Sequence, residues 1–190
     1  MESNLFRIGQ YAHYMANIDK TLNVVYQACV DAGPTVCPLY ESSTDKISAR
    51  VDKLINSLKT QPISFFNATT NNYGVLDYSF AKDAMLTSLY TPYNPQSGGA
   101  ALLSALASAE NGDGLPLYTL LGAAVVNNPF VCPSTPPPVF ASGVEVEIAI
   151  RCSDTPRPPF GIDGLKALYG EMARDSQFFS EVWSFDLGCS

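Results

Sequence analysis

Apolar side chains recur along much of this chain with the spacing of an α-helix. The clearest stripe follows an i, i+4, i+7, i+8, i+11 pattern and consists of Ile47, Val51, Leu54, Ile55 and Leu58. Ser43 or Thr44 is suited to cap the start of this helix, because a side-chain oxygen there can accept a free backbone amide. Pro62 is expected to stop it, since proline has no amide hydrogen to donate.

The same spacing predicts helices in four further segments. They cover residues 3–32, 79–89, 96–110 and 161–182. The first is expected to break near Gly9 or near Asn17, and Ser79 is expected to cap the second. Helical segments therefore make up most of the predicted fold.

Two segments depart from the helical spacing. Residues 144–152 alternate between apolar positions and polar ones such as Glu145 and Glu147, which predicts a strand with one solvated face. Residues 65–74, FFNATTNNYG, are predicted to form a polar loop. The predicted fold class is mainly α, with one strand and a closing C-terminal helix.

A proline-rich stretch divides the chain. Residues 127–138, NNPFVCPSTPPP, cannot form a helix or a central strand and predict a stiff connector. Residues 115–126 before it are apolar nearly throughout and carry no charge, so they must be buried in the domain or covered by something outside this chain. The predicted organisation is a helical region at 1–126, a connector at 127–143, and a strand and helix at 144–190.

Composition describes a globular chain and argues against two classes of partner. Of 190 residues, 46% are hydrophobic and 15% are charged, which suits one domain with a real core. The net charge is −7 and no cluster of lysine or arginine occurs, so nucleic acid is not expected as a partner. No apolar run reaches ~18 residues, so no membrane span is expected.

The cysteines favour an oxidising compartment. Cys29 and Cys37 flank a Gly33-Pro34 turn, which predicts a disulfide; the alternative is a pair of buried thiols. Five cysteines and a glycosylation sequon at Asn67 suggest secretion, yet the first residues lack the apolar core of a signal peptide. We expect that Met1 is not the natural start, and that the chain is an excised domain or comes from a truncated gene model.

Four stretches together carry a family resemblance. They are Cys-x-x-Ala-Gly-Pro-x-x-Cys at 29–37, ISARVDKLINSLKTQPI at 47–63, SFAKDAMLTSLYTP at 79–92 with LLSALASAENGDG at 102–114, and AIRCSD at 149–154. In this order they resemble the tripeptidyl-aminopeptidase-like family of secreted α/β-hydrolases, in the region of the helical cap. The resemblance implies that this chain is the cap, with the catalytic α/β-hydrolase core missing.

The resemblance also implies roles for single residues. A disulfide between Cys152 and Cys189 would match a pairing in similar sequences, and it leaves Cys132 odd. Asp154 is a candidate from its place after the predicted strand, where it would pair with the free ammonium group of an aminopeptidase substrate; the resemblance does not itself settle which acidic residue binds that group. The alternative is that Asp154 caps the next turn; Asp113 is a weaker candidate for the same binding role.

The residues for chemistry are missing from the sequence. A serine hydrolase of this kind needs Gly-x-Ser-x-Gly and a histidine late in the chain, whereas this chain has no such pentapeptide and one histidine, His13. One histidine and no Cys-x-x-Cys pair provide no zinc ligand set, and no cofactor motif occurs. No catalytic residue, metal or cofactor is therefore assigned.

Two functions from different classes remain. The first is the cap of a secreted serine hydrolase acting on peptide or ester substrates, which would shape and gate the site and be inactive alone. The second is a free-standing helical interaction module, derived from such a cap and without a catalytic role. The DNA that flanks the coding region would discriminate between them.

Overall fold

The computed structural model describes residues 15–69, 72–121 and 161–182, together with Val146, Ala149, Ile150 and Ser153. This part of the chain is mainly helical with one small antiparallel sheet, which confirms the mainly-α expectation. The chain divides into two compact units. Lys20–Phe130 forms the first, which we call the larger unit, and Met1–Asp19 with Val131–Ser190 forms the second. The predicted boundaries at 126 and 143 lie outside the described residues.

The helices and strands have the following bounds. In chain order they are α1 (Ile18–Ala32), α2 (Thr44–Ser57), β1 (Ile63–Asn67), β2 (Asn72–Leu76), α3 (Tyr78–Leu89), α4 (Gly99–Glu110), α5 (Leu115–Thr119) and α6 (Gly161–Asp175). The helix predicted for 3–32 is described from Met15 onwards, and α1 begins one residue after Asn17, where a break was expected.

The end of α1 is fixed by a glycine and a disulfide. Gly33 has a φ of +77°, a left-handed conformation that L side chains rarely adopt, and its amide donates to the Cys29 carbonyl oxygen at 3.2 Å. The chain then turns so that the Cys37 amide donates to the Gly33 oxygen at 3.0 Å. Cys29 and Cys37 are joined by a disulfide with their Cα atoms 5.3 Å apart, and both are buried. The expected disulfide is present.

Helix α2 forms as its apolar stripe predicts. The Ser43 hydroxyl caps its start by accepting the Lys46 amide at 3.4 Å. All of its predicted stripe is buried, from Ile47 to the C-cap residue Leu58. The helix ends at Ser57 and turns before it reaches Pro62, so the proline is not the stop signal that we expected.

The loop prediction for residues 65–74 is wrong, because β1 and β2 form an antiparallel hairpin there. Its register pairs Ile63 with Leu76 and Phe65 with Gly74. The polar residues are concentrated in the connection, while both flanks carry aromatic and β-branched side chains that favour strands. Phe65 lies over Gly74 so closely that a Cβ at Gly74 would be 2.8 Å from the Phe65 Cζ.

Helix α3 lies at the centre of the larger unit. It is capped by Asp77 and not by Ser79, because the Asp77 carboxylate accepts the Phe80 amide at 2.9 Å. α3 contacts α2, α4 and α5, and α5 contacts β2. Apolar side chains with almost no exposure form this core, among them Leu76, Ala81, Ala84, Met85, Leu102, Leu106 and Leu117.

Residues 115–126 are described as far as 121. Within α5, Leu117 is fully buried and Tyr118 nearly so, so this part of the apolar segment has cover within the chain. The residues from 122 to 126 lie outside the described part. Among the helices that the structure describes, none is long and apolar enough to cross a membrane.

The strand predicted for 144–152 is contradicted at every described position. Val146, Ala149 and Ile150 are helical, as is Ser153 beyond them, and the Ser153 hydroxyl donates to the Ala149 oxygen at 2.7 Å. These positions are spaced i, i+3, i+4 and i+7, so the same residues also satisfy a helical pattern. Alanine, glutamate and arginine in this segment favour helix, which explains why the alternation was misleading.

The closing helix is present as α6. It buries Leu168 and Met172, and Phe179 in the turns that follow is fully buried. The buried Ser176 hydroxyl donates to the Asp19 carboxylate at 2.6 Å and accepts the Phe179 amide at 2.8 Å. This pair of bonds ties the start of α1 to the chain just after α6, within one unit.

Removing the Cys29–Cys37 disulfide should lower the free energy of unfolding by about 2.5 kcal/mol, because an open loop gains chain entropy when unfolded. The test compares urea unfolding of wild type and Cys29→Ser/Cys37→Ser, both made in an oxidising host. Cys132→Ser is the matched control and should unfold like wild type. A non-reduced digest should yield the peptide linked through Cys29 and Cys37; equal stability of all three proteins would contradict the prediction.

A second prediction tests the contact between α1 and α4. A Cβ at Gly99 would be 2.9 Å from the Val25 Cγ2, so Gly99→Ala should cost about 1–3 kcal/mol through overpacking. Val25→Ala removes the clashing methyl groups, and the double variant should lose at least ~1 kcal/mol less than the sum of the single variants. Gly170→Ala is the control, since a Cβ there meets nothing within 4 Å. Additive losses would show that the two helices do not meet as described.

Candidate functional site

Most residues singled out for function from the sequence lie outside the described part of the chain. These are His13, Cys132, Glu145, Glu147, Cys152, Asp154 and Cys189. The substrate-binding role of Asp154 and the Cys152–Cys189 pairing therefore stay predictions.

Asn67, the predicted glycosylation site, is the last residue of β1. Its side-chain oxygen accepts the Thr69 amide at 3.0 Å, so the sequon forms a local turn at the end of the strand. Ala68 and Thr69 are exposed, and Asn67 is half-buried. Such a surface turn is where glycan acceptors are found, and the modification itself stays a prediction.

The other acidic candidates have structural roles or lie in solvent. The Asp113 carboxylate accepts the Leu115 amide at 3.1 Å, which shapes the turn into α5. Asp163 and Glu171 are exposed on α6, and Glu171 lies 3.7 Å from the guanidinium of Arg174. Asp175, at the end of the same helix, is half-buried.

A polar cluster around a buried lysine in the larger unit was not found from the sequence. We call it the Tyr78 cluster, made of Asp52, Lys59, Tyr78 and Lys82. Lys82 is 3% exposed, and its ammonium donates to the Tyr78 hydroxyl at 3.1 Å. The Lys59 ammonium lies 4.3 Å from the centre of the Tyr78 ring, in the range of a cation–π contact. The Lys82 ammonium is 5.0 Å from the ring centre, which fits its bond to the hydroxyl better than a contact with the ring face.

Two effects act on the pKa of Asp52, which is an exposed residue beside the buried lysine. Partial desolvation of its carboxyl raises the pKa, and the positive charge of Lys82 lowers it by less, so the net pKa is above its usual value. The cluster joins α2, the turn after it and α3 around a buried ammonium group. The Tyr78 hydroxyl accepts a hydrogen bond from the buried Lys82 ammonium, and the Asp52 carboxylate supplies a nearby negative charge. A buried lysine requires such partners, because an unpaired charge inside a protein is costly. Lysine is rarely buried, so the position of Lys82 is not expected from the sequence, although Tyr78 four residues earlier was the available signal.

A second ionic group joins α2 to the end of α4. The guanidinium of Arg50 donates to both carboxylate oxygens of Glu110, through Nε at 2.9 Å and Nη2 at 2.7 Å, and it lies 3.4 Å from Glu41. The bond to Glu110 is the main reason that the pKa of Arg50 is raised. All three side chains remain partly exposed, so this bidentate pair is a surface salt bridge that links the two helices.

The hairpin presents an exposed apolar surface. We call it the hairpin face, made of Phe66, Tyr73 and Val75, which are 66%, 52% and 47% exposed. The register places Phe66 opposite Tyr73 and Val75 opposite Ser64 on one side of the sheet. Large apolar side chains exposed side by side on one face of a sheet are a candidate contact region.

The other side of the hairpin is packed against helices. The Phe65 ring lies 4.9 Å from the Tyr118 ring, which in turn lies 5.1 Å from that of Phe80. A Cβ at Gly114 would be 3.0 Å from the Leu76 Cβ. The hairpin is therefore packed on this side, and the hairpin face lies on the opposite side of the sheet.

Among the described residues, no group of three or more histidine, cysteine, aspartate or glutamate side chains is arranged to hold a metal ion. The main features of the described residues are instead the exposed hairpin face and the ion pair between Arg50 and Glu110.

A pH-dependence follows from Asp83, an exposed residue whose carboxyl is partly desolvated by the neighbouring protein, which raises its pKa above 3.8. The folded state then holds the proton more tightly than the unfolded state, so this group favours folding below pH 3.8 and loses that effect as pH rises through its raised pKa. Asp83→Asn should therefore be more stable than wild type near pH 7 and equal to it at low pH. Urea midpoints across the acid range measure the difference.

Asp52→Asn provides the comparison. Its gain near pH 7 should be smaller than that of Asp83→Asn, because the variant also deprives Lys82 of a neighbouring negative charge. A pH-independent difference between wild type and Asp83→Asn would contradict the assignment.

Comparisons of the chain with models of protein families, with curated proteins and with solved structures found no match. The resemblance to the tripeptidyl-aminopeptidase-like family therefore depends on the four sequence stretches alone.

Proposed function

We propose that this chain is the helical cap of a secreted serine hydrolase that resembles the tripeptidyl aminopeptidases. The observation that carries the proposal is the Cys29–Cys37 disulfide, which fastens the end of α1 to the connection before α2. It lies within the Cys-x-x-Ala-Gly-Pro-x-x-Cys stretch that is the first part of the resemblance. A structural disulfide also favours an oxidising compartment, which secretion provides.

The packing of the larger unit suits the task of a cap. A cap covers the mouth of an active site, excludes water and selects substrates by shape, so it must hold its own form while it moves as one body. Here α3 is enclosed by α2, α4 and α5, and Arg50 clasps Glu110 across two of them. Peptide or ester substrates would meet surfaces of this unit, while the nucleophile would come from the missing core.

A second candidate is a free-standing interaction module with no catalytic role. The exposed hairpin face favours it, because Phe66 and Tyr73 are large apolar side chains held in solvent by a packed support. Aromatic residues of this kind are enriched in protein–protein contacts. Under this alternative the same helical packing serves to present the hairpin.

The chain alone is expected to hydrolyse neither aminoacyl nor ester chromogenic substrates above the buffer rate, because it contains no Gly-x-Ser-x-Gly. The decisive experiment expresses a longer protein, in which the chain is extended by whatever the flanking DNA encodes in frame. If that DNA supplies the serine motif, the extended protein should turn over these substrates, and its Ser→Ala variant should not.

Two results would oppose the cap. Flanking DNA without a serine motif, or with stop codons in frame on both sides, would favour the interaction module. Turnover by the chain alone that survives repurification and is blocked by a serine-directed phosphonate would contradict both proposals.

A further inference from the structure

The hairpin combines an exposed apolar face with a complete lack of charge. From Ile63 to Leu76 the chain has no lysine, arginine, aspartate or glutamate, although it carries 29 such residues elsewhere, 11 basic and 18 acidic. Natural proteins usually place charges on an exposed hairpin of this kind to prevent pairing with other chains. Here that protection is missing from both strands.

We propose that the hairpin face is a self-association surface, on which a second copy of this chain packs its own hairpin face. Two sheets stack face to face at about 10 Å, and a two-fold axis through the hairpins would bring aromatic side chains of one copy against those of the other. Phe66 and Tyr73 are large, and their rings gain from edge or offset contacts with each other. An uncharged, aromatic surface is thus complementary to itself.

Charge favours this face over the rest of the surface. Each copy carries a net charge of −7, so two copies repel each other over most orientations. When two copies meet through their hairpins, no charged side chain of either strand faces the same charged side chain of the other copy. Added salt should screen the remaining repulsion and strengthen the association.

The exposed area of the hairpin face limits how much surface the dimer contact can bury. Phe66, Tyr73 and Val75 together expose roughly 300 Å² on each copy, given that an aromatic side chain offers about 150–250 Å². A contact of roughly 600 Å² in total is well below the ~1,200 Å² of stable complexes. The dimer is therefore weak and reversible, as small transient contacts are.

The test measures mass by sedimentation equilibrium from about 5 µM to about 500 µM, for the whole chain and two variants. Tyr73→Lys puts a charge on the hairpin face, and Tyr93→Lys makes the same chemical change at a side chain 90% exposed outside the hairpin. Wild type and Tyr93→Lys should dimerise alike, and more tightly at ~300 mM than at ~20 mM salt. Tyr73→Lys should weaken the dimer at least about tenfold.

Hydroxyl-radical footprinting supplies an independent readout on unmodified protein. Oxidation of Phe66 and Tyr73 should fall as concentration rises, while oxidation of Tyr93 should not change. Circular dichroism checks that Tyr73→Lys is folded; if it is not, Val75→Lys carries the same test.

Three results would overturn the proposal. Wild type could remain monomeric throughout, which would leave the hairpin face to another partner such as a hydrolase core. Tyr73→Lys could dimerise as well as Tyr93→Lys, or the dimer could form without protection of Phe66 and Tyr73. These outcomes decide self-association only, because the cap proposal is decided by the flanking DNA and by the activity of the extended protein.

Discussion

The enclosure of α3 is the constraint on which the larger unit depends. Helices α2, α4 and α5 pack around it, so even its polar residues are buried. The Ser88 hydroxyl donates to the Ala84 oxygen, and Lys82 reaches Tyr78, because a buried polar group without a partner is costly. Asp77 both caps α3 and follows β2 directly, so the central helix also fixes where the hairpin leaves the core.

How much of this could be predicted from the sequence depended on how local the cause was. The stripe of α2 and the Gly33 turn with its flanking cysteines are set within a few residues, and the structure has both. The hairpin was missed because its signal is the pairing of two short strands, in which Phe65 covers Gly74 nine residues away. At 144–152 the pattern fits either period, and composition should have carried more weight than alternation.

The candidate site was harder to predict for a different reason. A buried lysine is specified by what surrounds it, and the turn bearing Lys59 and the face of α2 bearing Asp52 come together with Tyr78 through packing of distant helices. No periodicity in one segment contains that information. The role expected of Asp154 depends in part on its place after a strand, and that argument loses its premise because Ile150 and Ser153 are helical. The family resemblance does not itself assign the amine-binding role to Asp154.

The hairpin face connects the two proposals through competition for one surface. If the chain is a cap, the hydrolase core of the same protein would cover this uncharged aromatic face. The isolated chain would then self-associate through a surface that is buried in the whole enzyme. If the chain acts alone, the same absence of charge from Ile63 to Leu76 has no internal partner to explain it, and self-association becomes a working property. The packed support from Tyr118 and Phe80 is needed in either case, because a face that binds weakly gains too little free energy to be ordered on binding as well.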